Sequence, residues 1–240
     1  MKKFFAMVAM MAMTLAANAQ GNEEQSPWAD GLDVKIAAEA GKFTLTADGQ
    51  DPLTIAINKQ TRAKKGDIVL LLDGKQLTYA IVKDAANPQK PKVVLLNREY
   101  EDNENGTPKV ETTELEPGTF NVVKAGVMAP GARIAAKSSN GKWLFGKMVA
   151  EKDGNVLVLL NGSWPKVQSY KKADVKMLPL KENLKAGDEV LMNRAKFAAL
   201  TMSGYKVKKV DAALGRVWIT FEASGSLKIM SIVDVTKAVK

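Results

Sequence analysis

GARIAAKSSNGKWLFGKMVAEKDGNVLVLL, residues 131–160, holds three short apolar runs separated by two turns. Gly131 opens the first run, Ser139-Asn140-Gly141 ends it, and Asp153-Gly154 separates the second from the third. Runs of this length, rich in β-branched and aromatic residues and bounded by Asn-Gly and Asp-Gly, read as antiparallel strands joined by hairpins. In Val156–Leu160 both faces of the strand are apolar, so the outer face is expected to cover a neighbouring unit or a partner.

The pattern repeats. "GDIV" at Gly66, "GARI" at Gly131 and "GDEV" at Gly187 start similar runs, 65 and 56 residues apart. A second strand follows each start at Leu77–Val82, Trp143–Val149 and Tyr205–Val210, and a third at Lys92–Leu96, Asn155–Leu160 and Arg216–Phe221. Fourth strands are read at Lys109–Leu115, Lys166–Tyr170 and Ser226–Ser231, and fifth strands at Phe120–Lys124, Asp174–Leu178 and Asp234–Val239. Short strands at close spacing with little helical periodicity imply closed or nearly closed antiparallel barrels. Internal repetition on this scale makes each repeat a structural unit. The expected class is all-β: three tandem SH3-like small barrels after a cleaved signal peptide. The expected division is a leader at 1–19, a flexible linker at 20–32, N-terminal strands plus the first barrel at 33–124, and barrels at 125–180 and 185–240. Residues 33–40 read equally as a strand or a short helix.

The Gly-apolar start, the turn-Gly-x-Trp step, the variable hairpin and the closing apolar-x-apolar after Asp174 resemble Tudor and agenet domains. The resemblance covers about the last three-quarters of the chain and is clearest over residues 131–179. It implies an SH3-like barrel that binds peptides or polymers on one face. The positions corresponding to the methyl-reading aromatic cage are Lys137, Leu144, Leu159 and Gly162, none aromatic. Methyl recognition by cation–π attraction is therefore not carried over.

Composition narrows the chemistry. The chain has neither Cys nor His. Disulfides, Ser-His-Asp and Cys-His catalysis are excluded, and zinc or copper would lack their most usual ligands. No cofactor and no metal is expected. Enzymatic alternatives reduce to carboxylate or lysine chemistry, such as a carboxylate pair acting on glycans. The acidic run Arg98–Gly106 does not match calcium-loop spacing and reads as a polar hairpin loop.

Met1–Gln20 has a basic start, an apolar stretch at Phe4–Ala16 and the small-x-small pattern Ala17-Asn18-Ala19. It reads as an export leader cut before Gln20, too short in its apolar part for the ~20 residues of a membrane span. A periplasmic or secreted location without a transmembrane anchor is expected. The formal charge of +9 becomes +7 once Lys2 and Lys3 leave. A basic surface favours anionic partners. The expected function is a non-enzymatic binding or scaffold module for a protein or peptide of the cell envelope. An anionic surface polymer such as an acidic glycan or lipopolysaccharide is the alternative, and no nucleic-acid partner is expected. The binding candidates are Trp164, Trp143, Phe145, Tyr170, Lys142 and Lys166. Trp164 stands between Gly162 and Pro165, which break the strand, whereas Trp218 lies inside an apolar strand and is expected to fill the interior.

Overall fold

The computed structural model describes residues 26–39, 41–96, 110–161, 164–194, 200–237 and 239. The leader and the acidic run at 98–106 lie outside the described residues. Strand makes up 52% of the described residues and helix 2%, so the fold is all-β.

The strands are β1 (Leu32–Asp33), β2 (Lys35–Glu39), β3 (Lys42–Thr46), β4 (Leu53–Ala56), β5 (Ile68–Asp73), β6 (Gln76–Asp84), β7 (Lys92–Leu95), β8 (Thr113–Glu114), β9 (Phe120–Val122), β10 (Arg133–Lys137), β11 (Trp143–Lys152), β12 (Asn155–Leu160), β13 (Lys166–Lys171), β14 (Val175–Met177), β15 (Glu189–Arg194), β16 (Leu200–Asp211), β17 (Arg216–Phe221), β18 (Leu227–Ser231) and β19 (Val235–Thr236). Strands β2–β3–β4 form a small antiparallel sheet. Residues 35–39 are thus strand, where strand and helix were both open.

After it come three five-stranded units with one wiring. In each, four strands follow as a meander and the fifth returns to pair with the first: β9 with β5, β14 with β10, β19 with β15. Each unit is compatible with a small barrel-like domain. The long second strand is broken by a register shift in all three, between Val82 and Asp84, Met148 and Ala150, and Val207 and Lys209. A bulge of this kind bends a strand and increases its twist, which lets it serve two packing surfaces.

The expectation of three tandem SH3-like barrels is corrected. Four small sheets form a propeller-like ring. The N-terminal sheet touches the first unit through β2 and β5 and the second through β4 and β11. The second unit meets the third at one bridge, Leu144 with Leu200, which joins their strands into a continuous eleven-stranded sheet. The third returns to the first, where the Arg216 guanidinium donates to the Leu95 carbonyl at 3.0 Å. Gly215, at φ +65°, makes this closure possible: an added Cβ would stand 2.7 Å from the Leu96 side chain.

The physical cause of the ring is the two-faced strand. Along β5, Val69 and Leu71 pack inside the first unit, while Ile68 and Leu70 face the shared core. Along β12, Val156 and Val158 stay inside the second unit, while Leu157 and Leu159 join the same shared core. That core also takes Phe43 and Leu45 of β3 and Val190, Val207, Val217, Ile219 and Val235 of the third unit. The outer face read from Val156–Leu160 is therefore covered by neighbouring units. Trp28, inside the segment read as a flexible linker, is only 3% exposed and belongs to this core. Its carbonyl accepts from the Ser169 amide at 2.9 Å, and β1 pairs with β13, so residues 26–33 are stitched to the second unit.

At Gly146 two strands approach closely. A Cβ there would come within 2.6 Å of the Leu159 carbonyl oxygen and of Val158 Cγ1. Backbone at that distance cannot step aside, so Gly146→Ala is expected to cost about 1–3 kcal/mol or more. Urea unfolding reads this directly; a midpoint equal to that of the parent chain would contradict the register of β11 on β12.

Candidate functional site

All four sheets contribute to a partly open cavity of about 60 Å³. Its walls are mostly apolar: Ile36 from β2, Leu77 from β6, Leu159 and Leu160 from β12, Leu96 and Val233. Among these stand Lys147 of β11 and Asp234, the residue before β19.

Lys147 is only 9% exposed. It lies on a strand whose neighbours Phe145 to Val149 are all buried, so most of its side chain is held out of water. The ammonium donates to Asn161 Oδ1 at 2.9 Å and sits 4.9 Å from the centre of the Tyr79 ring. Tyr79 is fixed in turn, donating its hydroxyl to the Gly131 carbonyl at 2.7 Å, and burial pushes its phenol well above the ordinary range. Burial pulls Lys147 down to about 8; Asp234 opposes that shift and Arg133 adds to it. A neutral amide and an aromatic face hold a charge less well than water does, which is the reason for the shift.

Asp234 is half-buried. Burial raises its carboxyl above the usual carboxylate range, and the Asn193 amide, Lys147, Arg133 and Arg216 pull it back. Arg133 is 1% exposed and donates to the carbonyls of Pro179 at 2.8 Å and Val235 at 2.9 Å. It thus ties β10 to the connector after β14 and to β19. Burial lowers both Arg133 and Arg216, the latter to about 10.

The residues picked from sequence divide sharply. Trp164 is 82% exposed and precedes Pro165, a residue of the cavity wall. Lys142 is exposed in the turn between β10 and β11. That turn and the loop from β12 to β13 lie at the same end of the second unit, because β11 starts where antiparallel β12 finishes. Trp143 is half-buried at the start of β11, with the Lys176 ammonium 5.4 Å from its ring centre. Lys166 is half-buried, its stem running over Gly31. Phe145 and Tyr170 are corrections. Phe145 is fully buried beneath the Arg133 guanidinium at 5.5 Å, so it is packing, not a contact surface. Tyr170 is 7% exposed in the core of the second unit, its hydroxyl donates to Gln168 Oε1, and burial pushes it up to about 12. Trp218, expected in the interior, is 7% exposed.

No family model matches the chain, and no curated protein is similar to it. What the site can do follows from its geometry. An exposed indole next in the chain to Pro165 of the cavity wall suits recognition. Among the described residues no helix is long and apolar enough to cross a membrane.

Sequence reasoning missed the inward charges Lys147, Arg133, Arg216 and Asp234 as a group. The available signal was a lysine inside the apolar run Trp143–Val149, where a covered strand leaves a long cation no exit to solvent.

Proposed function

We propose that the chain is an exported, non-enzymatic binding or scaffold protein that holds a protein or peptide of the cell envelope at the loop end of its second unit. The observation that carries this reading is the 82% exposure of Trp164. A large ring held in water beside a rigid proline gains most when a partner covers it, and Trp is enriched where binding energy concentrates. Exposed Lys142 at the same end and the basic balance of the chain favour an acidic partner. The export leader expected from residues 1–20 sets the compartment.

The test is capture of envelope proteins by the immobilised chain. Trp164→Ala is expected to leave stability within about ±0.5 kcal/mol. It is expected to weaken capture by roughly 30-fold, the scale of a 2 kcal/mol hot spot. Capture should also fall as salt rises past ~0.1 M, where exposed charges are screened beyond ~10 Å. Undiminished capture by Trp164→Ala would exclude this face. Capture of acidic polymer in preference to protein would move the reading to the glycan or lipopolysaccharide class.

A further inference from the structure

Strand β2 leaves one edge of its sheet unpaired: among the described residues it pairs with β3 alone. The Ile57 amide donates to the Gly41 carbonyl at 2.7 Å, so Gly41, Phe43 and Leu45 turn their backbone groups toward β4. Lys42, Thr44 and Thr46 then turn theirs toward β2, where their partners are Glu39, Ala37 and Lys35. The amides and carbonyls of Ile36 and Ala38 therefore point away from β3. Upstream on that outer edge the Val34 amide is taken, donating to the Pro165 carbonyl at 3.0 Å. Beyond it, no described residue bonds to the outward backbone groups of Ile36 or Ala38. Lys35, Ala37, Ala38 and Glu39 are all exposed.

This edge is complementary to itself. Paired antiparallel about Ala37, the run Lys35–Glu39 (KIAAE) sets Lys35 opposite Glu39, Ile36 opposite Ala38 and Ala37 opposite Ala37. Ile36 and Ala38 carry the outward backbone groups, so each Ile36–Ala38 pair exchanges amide and carbonyl in both directions. Lys35, Ala37 and Glu39 share one face, where directly opposite unlike charges attract and like charges repel. Glu39 already lies 3.1 Å from the Lys42 ammonium of its own chain, so it would stand between two cations. Sliding the strands by two residues one way sets Ala38 against Val34, which Pro165 holds. Sliding them the other way leaves Lys35 and Glu39 without their opposite charges.

We propose that β2 is a homodimer interface, at which a second copy of the chain adds its own β2 antiparallel to this edge about a two-fold axis at Ala37. The two small sheets then become one continuous sheet. An edge lysine repels foreign strands, but in this arrangement it meets a carboxylate. The contact is short, below the ~1,200 Å² of a standard interface, so a reversible dimer with a Kd of about 0.01–1 mM is expected. The inference does not rest on the Trp164 face.

The test is sedimentation velocity of residues 20–240 from about 1 µM to 1 mM, across which monomer is expected to give way to dimer. Ala38→Pro removes an outward amide and leaves the bonds to β3, and proline suits an edge strand. This variant is expected to stay monomeric. Lys35→Glu and Glu39→Lys, each alone, set like charges opposite one another and should weaken the dimer about tenfold. Mixing the two variants sets every charge opposite its complement and should restore it. Should Ala38→Pro fail to fold, the mixture decides, because no effect within one chain produces recovery on mixing. A parent chain monomeric throughout, a dimer undisturbed by folded Ala38→Pro or by the single charge changes, or no recovery on mixing would each overturn the interface. A monomeric chain whose Ile36 and Ala38 amides gain exchange protection on adding the captured envelope partner would overturn the second copy and give the edge to that partner. None of these readings uses Trp164, so the capture face stands or falls separately.

Discussion

Arg133→Ala is expected to destabilise the chain by about 3–5 kcal/mol. The guanidinium is 1% exposed and serves two carbonyls, Pro179 and Val235, that come from different parts of the ring. Truncation leaves both acceptors without that donor, at roughly 1–3 kcal/mol each, and opens a cavity beside Phe145, whose ring lies 5.5 Å from the guanidinium carbon. Relief of one buried positive charge offsets part of this cost. For a chain of this size the melting temperature should fall by roughly 6–20 °C. Arg133→Lys keeps the charge and loses the planar fork, so it should recover little. Thermal unfolding of both variants checks the expectation. If Arg133→Ala melts within a degree or two of the parent, Arg133 does not tie the second unit to the third.

Raising the pH from 7.5 to 9.5 is expected to stabilise the chain, through Lys147. Its folded value is about 8, below the ordinary 10.5. Between those values the unfolded chain binds a proton that the native chain does not, so stability rises with pH. Below about pH 8 this group contributes no slope. Across the window the gain is about 2 kcal/mol, at 1.36 kcal/mol per pH unit per proton. Asp234 works at the acid end: its raised carboxyl adds stability at low pH that is lost as pH rises through its folded value. Tyr79 and Tyr170 are raised, so their contribution is lost only above the ordinary tyrosine range. Arg216, lowered to about 10, adds slope of the same sign only toward the top of the window, so most of the gain belongs to the lysine. Lys147→Met should be as stable as the parent at neutral pH, since a buried cation held by neutral groups gives way to an apolar side chain of similar length. It should lose the alkaline gain. Parallel stability curves for the two chains would place the amine in water.

Which parts of this molecule were legible in sequence follows from local physics. The strands were, because Gly turns and alternating apolar residues act within a few positions. Arg216–Phe221 and Asn155–Leu160 were read with the observed limits. Of the strand read at Lys109–Leu115, Lys109 lies outside the described residues, and of the rest only Thr113 and Glu114 pair with β7. The two-faced character of Val156–Leu160 announced a neighbour, but not which one. Ring closure depends on contacts such as Gly215 on Leu96, between residues far apart in the chain, and no local pattern carries that. At the site, Trp164 was legible because glycine and proline flank it. Phe145 was not, since on a strand covered on both sides an aromatic has no solvent face. Trp28 was missed because a polar stretch precedes it, and its burial comes from the distant β13.

The central claim is that the four sheets fold around one core rather than as separate barrels. Val190, Val207, Val217, Ile219 and Val235 of the third unit all lie in the core shared with Phe43, Leu70 and Leu157. The most direct measurement is circular dichroism and urea unfolding of the excised fragment 185–240 beside the full chain. The fragment is expected to show no cooperative transition, while the full chain unfolds in a single one. A fragment with a strand spectrum and its own cooperative melt would contradict the shared core and restore independent barrels.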